Sequence, residues 1–230
     1  MHDEFSRTLN LSFQRLEEIP DWVFTQNPEL ERLIIGDTYD EEHECSQELL
    51  DEEWRYKNML KTVSPKITTL KRLKHVDLRG NWLETLTLRS MQYVEYLNLE
   101  RNFLRELELS NLPRLEYLNC YRNDLEKVHL EHLPSLKTLI LSINALRHLT
   151  LKDLPSLETV NVKINKLQSV ELSGLPSLAQ IDLSMNFLEY LHLQHFPRLR
   201  TVNVRRNRLQ SLVFDDVSAL QNIFKDENLL

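Results

Sequence analysis

The chain has 230 residues, 41% hydrophobic and 27% charged, an ordinary globular balance with length enough for a sizeable core. Its net charge of −7 is uneven: residues 1–65 hold six Lys/Arg against sixteen Asp/Glu, and residues 66–230 hold twenty-two against nineteen. Neither part is the basic surface that nucleic-acid binding needs, no apolar run spans a bilayer, and Cys45 and Cys120 form no CxxC pair or disulfide framework.

A cytoplasmic chain that engages neither nucleic acid nor membrane is therefore expected, since no cationic and apolar signal segment opens it. With only three glycines, its turns are expected to be built from side-chain hydrogen bonds and proline.

The first predicted element opens at Leu9-Asn-Leu11-Ser-Phe-Gln14-Arg-Leu16, with Ile19 and Pro20 behind it. An interruption follows at residues 39–57, between Thr38 and Asn58, which both occupy the asparagine position of a repeat. It carries Asp40, Glu41, Glu42, Glu44, Glu48, Asp51, Glu52 and Glu53, and the spacing of Cys45, Leu49, Leu50 and Trp54 predicts a short amphipathic helix. Such an insertion either presents a binding face or folds over the rim to cover Trp54. Another long unit opens at Asn58-Met-Leu60 and runs through Ile67, Leu70 and Leu73 into Val76 and Leu78. Gln14 and Thr38 stand where the later pattern has asparagine, so that end of the chain is expected to be the weaker one.

From there the period is strict. Asparagines stand at 81, 102, 123, 144, 165, 186 and 207, a constant step of 21 residues that Asn228 continues. Each sits in the frame LxxLxLxxNxLxxLxLxxLPx, as in Leu115-Glu-Tyr-Leu118-Asn-Cys120-Tyr-Arg-Asn123-Asp-Leu125. Fixed self-similarity of this length is the signature of a stacked-repeat architecture.

In the LxL segment two side chains point inward and the one between them points outward, the period of a strand. The asparagine amide is expected to satisfy backbone groups that a sharp bend leaves unpaired. The return path, as in Val128-His-Leu130-Glu-His-Leu133-Pro134, is too short for a long helix. Strands are predicted near 75–79, 96–100, 117–121 and onward every 21 residues. Lys225, Asp226 and Glu227 charge the last of them, which predicts a protected edge and a monomer.

These residues resemble the leucine-rich-repeat family over almost the whole chain, and the repeat length is similar to the short classes of bacterial and intracellular members. The resemblance implies an α/β-type solenoid, mostly β and right-handed. It would have a concave parallel sheet of about ten strands, a thin, extended or single-turn outer wall, and one domain over residues 1–230.

Function in such an architecture is expected on outward positions. Tyr96, Tyr117 and Tyr121 fall on adjacent repeats with Asn98, Asn119 and Arg122 beside them, residue types suited to anchoring a partner protein. The competing reading is that Tyr and Thr favour an exposed pleated surface. A second stripe lies on the rim: Ile143, Ile164 and Met185 precede the frame asparagine, and Trp82, Phe103 and Phe187 follow it. Exposed and contiguous, these apolar groups would mark a docking site; tucked against one another, they would not.

No catalytic residue, cofactor or metal is expected. The pairs His129/His132 and His192/His195 lie three repeats apart, roughly 14 Å at strand spacing. No GxxxxGK[ST], GxGxxG, HExxH or GxSxG occurs, and Cys120, replacing a strand leucine, is expected to be a buried small hydrophobe. The expectation is a non-enzymatic protein-interaction module. The alternative is a ligand-sensing or effector fragment whose catalytic or signalling part lies elsewhere.

Overall fold

In the computed structural model the described residues are 7–36 and 57–229, so most of the acidic insertion lies outside them. Ten short parallel strands form one sheet: Thr8–Asn10, Arg32–Ile34, His75–Asp77, Tyr96–Asn98, Tyr117–Asn119, Thr138–Ile140, Thr159–Asn161, Gln180–Asp182, Thr201–Asn203 and Asn222–Phe224. From His75 onward each residue pairs with the one 21 places later, so Val76 faces Leu97 and Leu97 faces Leu118. The strands are shorter than predicted: each ends just before the second inward residue, such as Cys120, and the chain then turns through the frame asparagine three residues later.

The opposite wall is also extended. Five-residue strands at Thr85–Arg89, Glu106–Ser110 and Lys127–Glu131 form one small parallel sheet. His148–Lys152 pairs with Ser169–Ser173, and Tyr190–Gln194 pairs with Ser211–Asp215. Leucines on alternate positions, such as Leu86 and Leu88, enter the core while Thr85, Thr87 and Arg89 face out. Among the described residues, helix occurs in the two longer early units: Asp21–Gln26, which buries Val23 and Phe24, and a 3₁₀ turn at Pro65–Thr69 begun by Ser64. The buried side chains form one cluster from Ile19 to Leu209, Cys120 among them. Burial pushes the Cys120 thiol pKa far up, which leaves an inert protonated group.

The asparagine ladder runs the length of the stack. The Asn165 amide donates to Val162 O of its own repeat (3.0 Å) and to Leu141 O of the repeat before (2.9 Å), while its Oδ1 accepts from Leu146 N (3.1 Å). Asn81, Asn102, Asn123, Asn144, Asn186, Asn207 and Asn228 repeat this scheme. The early end is less depleted than the frame implied. Thr38 lies outside the described residues, but Asn58, fully buried beyond the insertion, occupies the ladder place of the second unit. It donates to Leu11 O (2.8 Å) and Ile35 O (3.0 Å) and accepts from Leu16 N (2.8 Å).

The turns depart from expectation. From Gly80 onward two residues per repeat adopt the left-handed region, and most are not glycine: Arg101, Arg122, Ile143, Ile164, Met185 and Arg206 on one rim, with Asn111, His132, Asp153 and His195 among those on the other. Left-handed backbone costs an L-residue about 1–2 kcal/mol. Here hydrogen bonds between successive turns offset it, as in Ile143 N to Lys163 O at 2.9 Å.

Candidate functional site

On the ten-stranded face, in-register pairing brings the side chains of one column within stacking distance. His75 lies on Tyr96 with ring centroids 4.1 Å apart and planes 2° from parallel. Tyr96 lies on Tyr117 at 4.8 Å and 3°, the natural spacing of neighbouring strands. The result is a continuous three-ring stack, half-buried along its length. Burial lowers the pKa of His75, reinforced by Arg32, which favours the neutral ring. Burial raises the pKa of Tyr96, followed by the negative field of Asp77, and raises that of Tyr117, followed by Tyr96 and Glu100.

Beside the stack, Arg79 clasps the nearly inaccessible Asp77 carboxylate, with Nη2 to Oδ2 at 2.8 Å and Nε to Oδ2 at 3.0 Å. Burial opposes the Arg79 charge, yet this pairing carries its pKa above the ordinary value. Gly36 faces the pair closely: a Cβ there would stand 2.6 Å from Asp77 Oδ1 and 2.8 Å from Arg79 Cγ.

The structure brings Tyr96 and Tyr117 together and adds His75, which occupies the same outward column one strand earlier. Its ring was legible there as a column member, but its partnership depends on side-chain orientation. Tyr121 stands two residues beyond the end of its strand and, among the described residues, makes no ring contact with the other two; its N–H bonds to Asn119 Oδ1 at 2.9 Å. Asn98 and Asn119 are not the free hydrogen-bonding groups expected. They are buried, 2% and 6% exposed, and each accepts the N–H two residues on. Asn98 also donates to Tyr96 Oη (3.4 Å) and Asn119 to Glu100 Oε2 (3.1 Å), so both brace the stack from within. Arg122 leaves the face altogether: its left-handed φ of 57° carries it onto the rim.

The rim residues divide into two groups. Trp82 and Phe103, 43% and 52% exposed, meet edge to face at 6.4 Å and line a cavity of about 470 Å³ with Arg79, Arg101 and Arg122. Asp124 takes the aromatic place in the next repeat and ends that group. Ile143, Ile164 and Met185 then follow in successive turns; Ile164 is exposed, the other two are half-exposed, and Phe187 beside them carries the Arg208 guanidinium over its ring at 4.7 Å. On the opposite rim, Pro113, Pro134, Pro155 and Pro176 line a groove of about 680 Å³ that the sequence reading did not single out.

Among the described residues, no group of three His, Cys, Asp or Glu is placed to hold a metal ion. No described helix is long and apolar enough to cross a membrane.

No protein-family model and no curated protein sequence matches the chain. Solved structures do. YopM, a leucine-rich effector protein from Yersinia pestis, is 26% identical, matched over 95% of this chain and 61% of its own, with a TM-score of 0.57. The leucine-rich repeat domain of LRIM1 is 18% identical over 92% of this chain and 74% of its own, at 0.57. That of APL1B is 17% identical over 96% and 76%, at 0.59. YopM from Yersinia enterocolitica matches 93% of this chain, which spans only half of that protein's length.

Proposed function

For a chain that is a leucine-rich-repeat solenoid, we propose a binding role without catalysis: it holds a partner protein on the ten-stranded face around His75, Tyr96 and Tyr117. The observation that carries this is the three-ring stack. Rings locked at 4.1 and 4.8 Å have little rotamer freedom left to lose, which is what makes aromatic anchors effective in interfaces. Asn98 and Asn119 stiffen the anchor from below, and Tyr121 extends the surface toward the rim.

Structures of this fold include a complex of LRIM1 with APL1C and a complex of TLR13 with ssRNA13, a protein and a nucleic-acid association on one architecture. Charge favours protein here. Along this face Arg79 is paired with Asp77 and Arg205 with Asp226, so cations and carboxylates alternate rather than forming the continuous positive track that a phosphate backbone follows. A single domain over residues 1–230, monomeric in solution and working in a reducing compartment that suits the free thiol of Cys120, completes the proposal.

Affinity capture followed by mass spectrometry, with wild type beside Tyr117→Ala, tests it. The variant should lose wild-type partners by tenfold or more while its melting temperature stays nearly unchanged. Partners retained in full by a folded Tyr117→Ala protein would refute the assignment of this face.

A further inference from the structure

The rim stripe combines two features that local folding does not demand. Ile143 and Ile164 hold φ of 55° and 54°, the left-handed region where a β-branched side chain is least at home. The same turn position is filled by Gly80, Arg101, Arg122 and Arg206 in other repeats, so the fold imposes no apolar residue there. Strain kept at an accessible position points to a use for the side chain itself. Successive turns are locked in register by Ile143 N to Lys163 O (2.9 Å), Ile164 N to Ser184 O (3.1 Å) and Met185 N to Arg205 O (2.8 Å), so the three side chains form one straight row.

The second feature is charge. The four turns Ser142–Ala145, Lys163–Lys166, Ser184–Phe187 and Arg205–Arg208 carry five cations and no carboxylate. Arg205 and Arg206 are paired with Asp226 and Glu227, whereas Lys163 and Lys166, on either side of Ile164, have no ion-pair partner among the described residues. Arg122, one turn before Ile143, has none there either.

We propose that this rim is a second docking strip, separate from the stacked-ring face, for a partner segment that presents an apolar row flanked by carboxylates. The apolar row of such a segment lies along Ile143, Ile164 and Met185, and its carboxylates reach Arg122, Lys163 and Lys166. An amphipathic acidic helix has this arrangement, with its apolar side chains on one face and its charges on both flanks.

The test uses the intact protein and a synthetic amphipathic peptide with a leucine row flanked by glutamates, beside a control peptide with lysines in their place. The acidic peptide should bind and the lysine peptide should not. Ile164→Asn should weaken binding tenfold or more without lowering the melting temperature, since asparagine accepts left-handed backbone more readily than isoleucine. Lys163→Glu with Lys166→Glu should weaken it at least as much, while Tyr117→Ala should leave it unchanged, which separates this strip from the ring face. Equal affinity for both peptides, or full binding by Ile164→Asn, would overturn the proposal. So would tighter binding of an RNA oligonucleotide at the same strip, or self-association that Ile164→Asn abolishes.

Discussion

Replacing Asn165 with alanine tests the ladder at its most informative point. Three backbone groups depend on this side chain: Leu141 O, Val162 O and Leu146 N. The two carbonyls are shared, because Asn144 also donates to Leu141 O and Asn186 also donates to Val162 O. Each therefore keeps one bond in the variant, and only the buried Leu146 N–H is left without a partner. An orphaned buried donor costs about 1–3 kcal/mol, and each of the two forfeited carbonyl bonds about 0.5–1.5 kcal/mol net, so the expected loss is about 2–6 kcal/mol. Neighbouring repeats should absorb it locally, since each unit contacts only those beside it. Denaturant unfolding measures the total, and hydrogen exchange at the Leu146 amide locates it, with exchange accelerated by about thirtyfold or more at the lower bound. Unaltered protection at Leu146 in a folded variant would refute the ladder as the source of the stability.

Two further expectations concern the ring face. Gly36→Ala places a Cβ within 2.6 Å of Asp77 Oδ1 and 2.9 Å of Arg79 N, so it should push the Asp77–Arg79 pair off the sheet and lower the melting temperature; a variant as stable as wild type would show that the pair yields freely. Ultraviolet titration should find tyrosines that ionise above the usual value near 10, because burial disfavours the phenolates of Tyr96 and Tyr117. Their raised pKa values mean that the stability linked to the neutral rings is fully present below pH 10 and lost as pH rises through the folded values. Tyr96→Phe should remove one high-pH step, and an unchanged titration would count against the stack.

The sequence alone determined the repeat, the inward and outward faces of each strand and the ladder from Asn81 to Asn228. A stack in which each unit meets only its neighbours converts a 21-residue offset directly into adjacency in space. Where the offset breaks, that conversion fails. The frame set Asn58 at an asparagine position, but that it serves the second unit across the insertion is decided by its bonds to Leu11 O and Ile35 O. The ring site was half legible: the columns placed Tyr96 above Tyr117, but the inclusion of His75 depends on side-chain rotamers. The burial of Asn98 and Asn119 depends on how the side chains of this face pack and hydrogen-bond, and the departure of Arg122 to the rim depends on a left-handed φ. Residue type and period report none of these, because they arise from backbone torsions and packing between repeats, which only the tertiary structure decides.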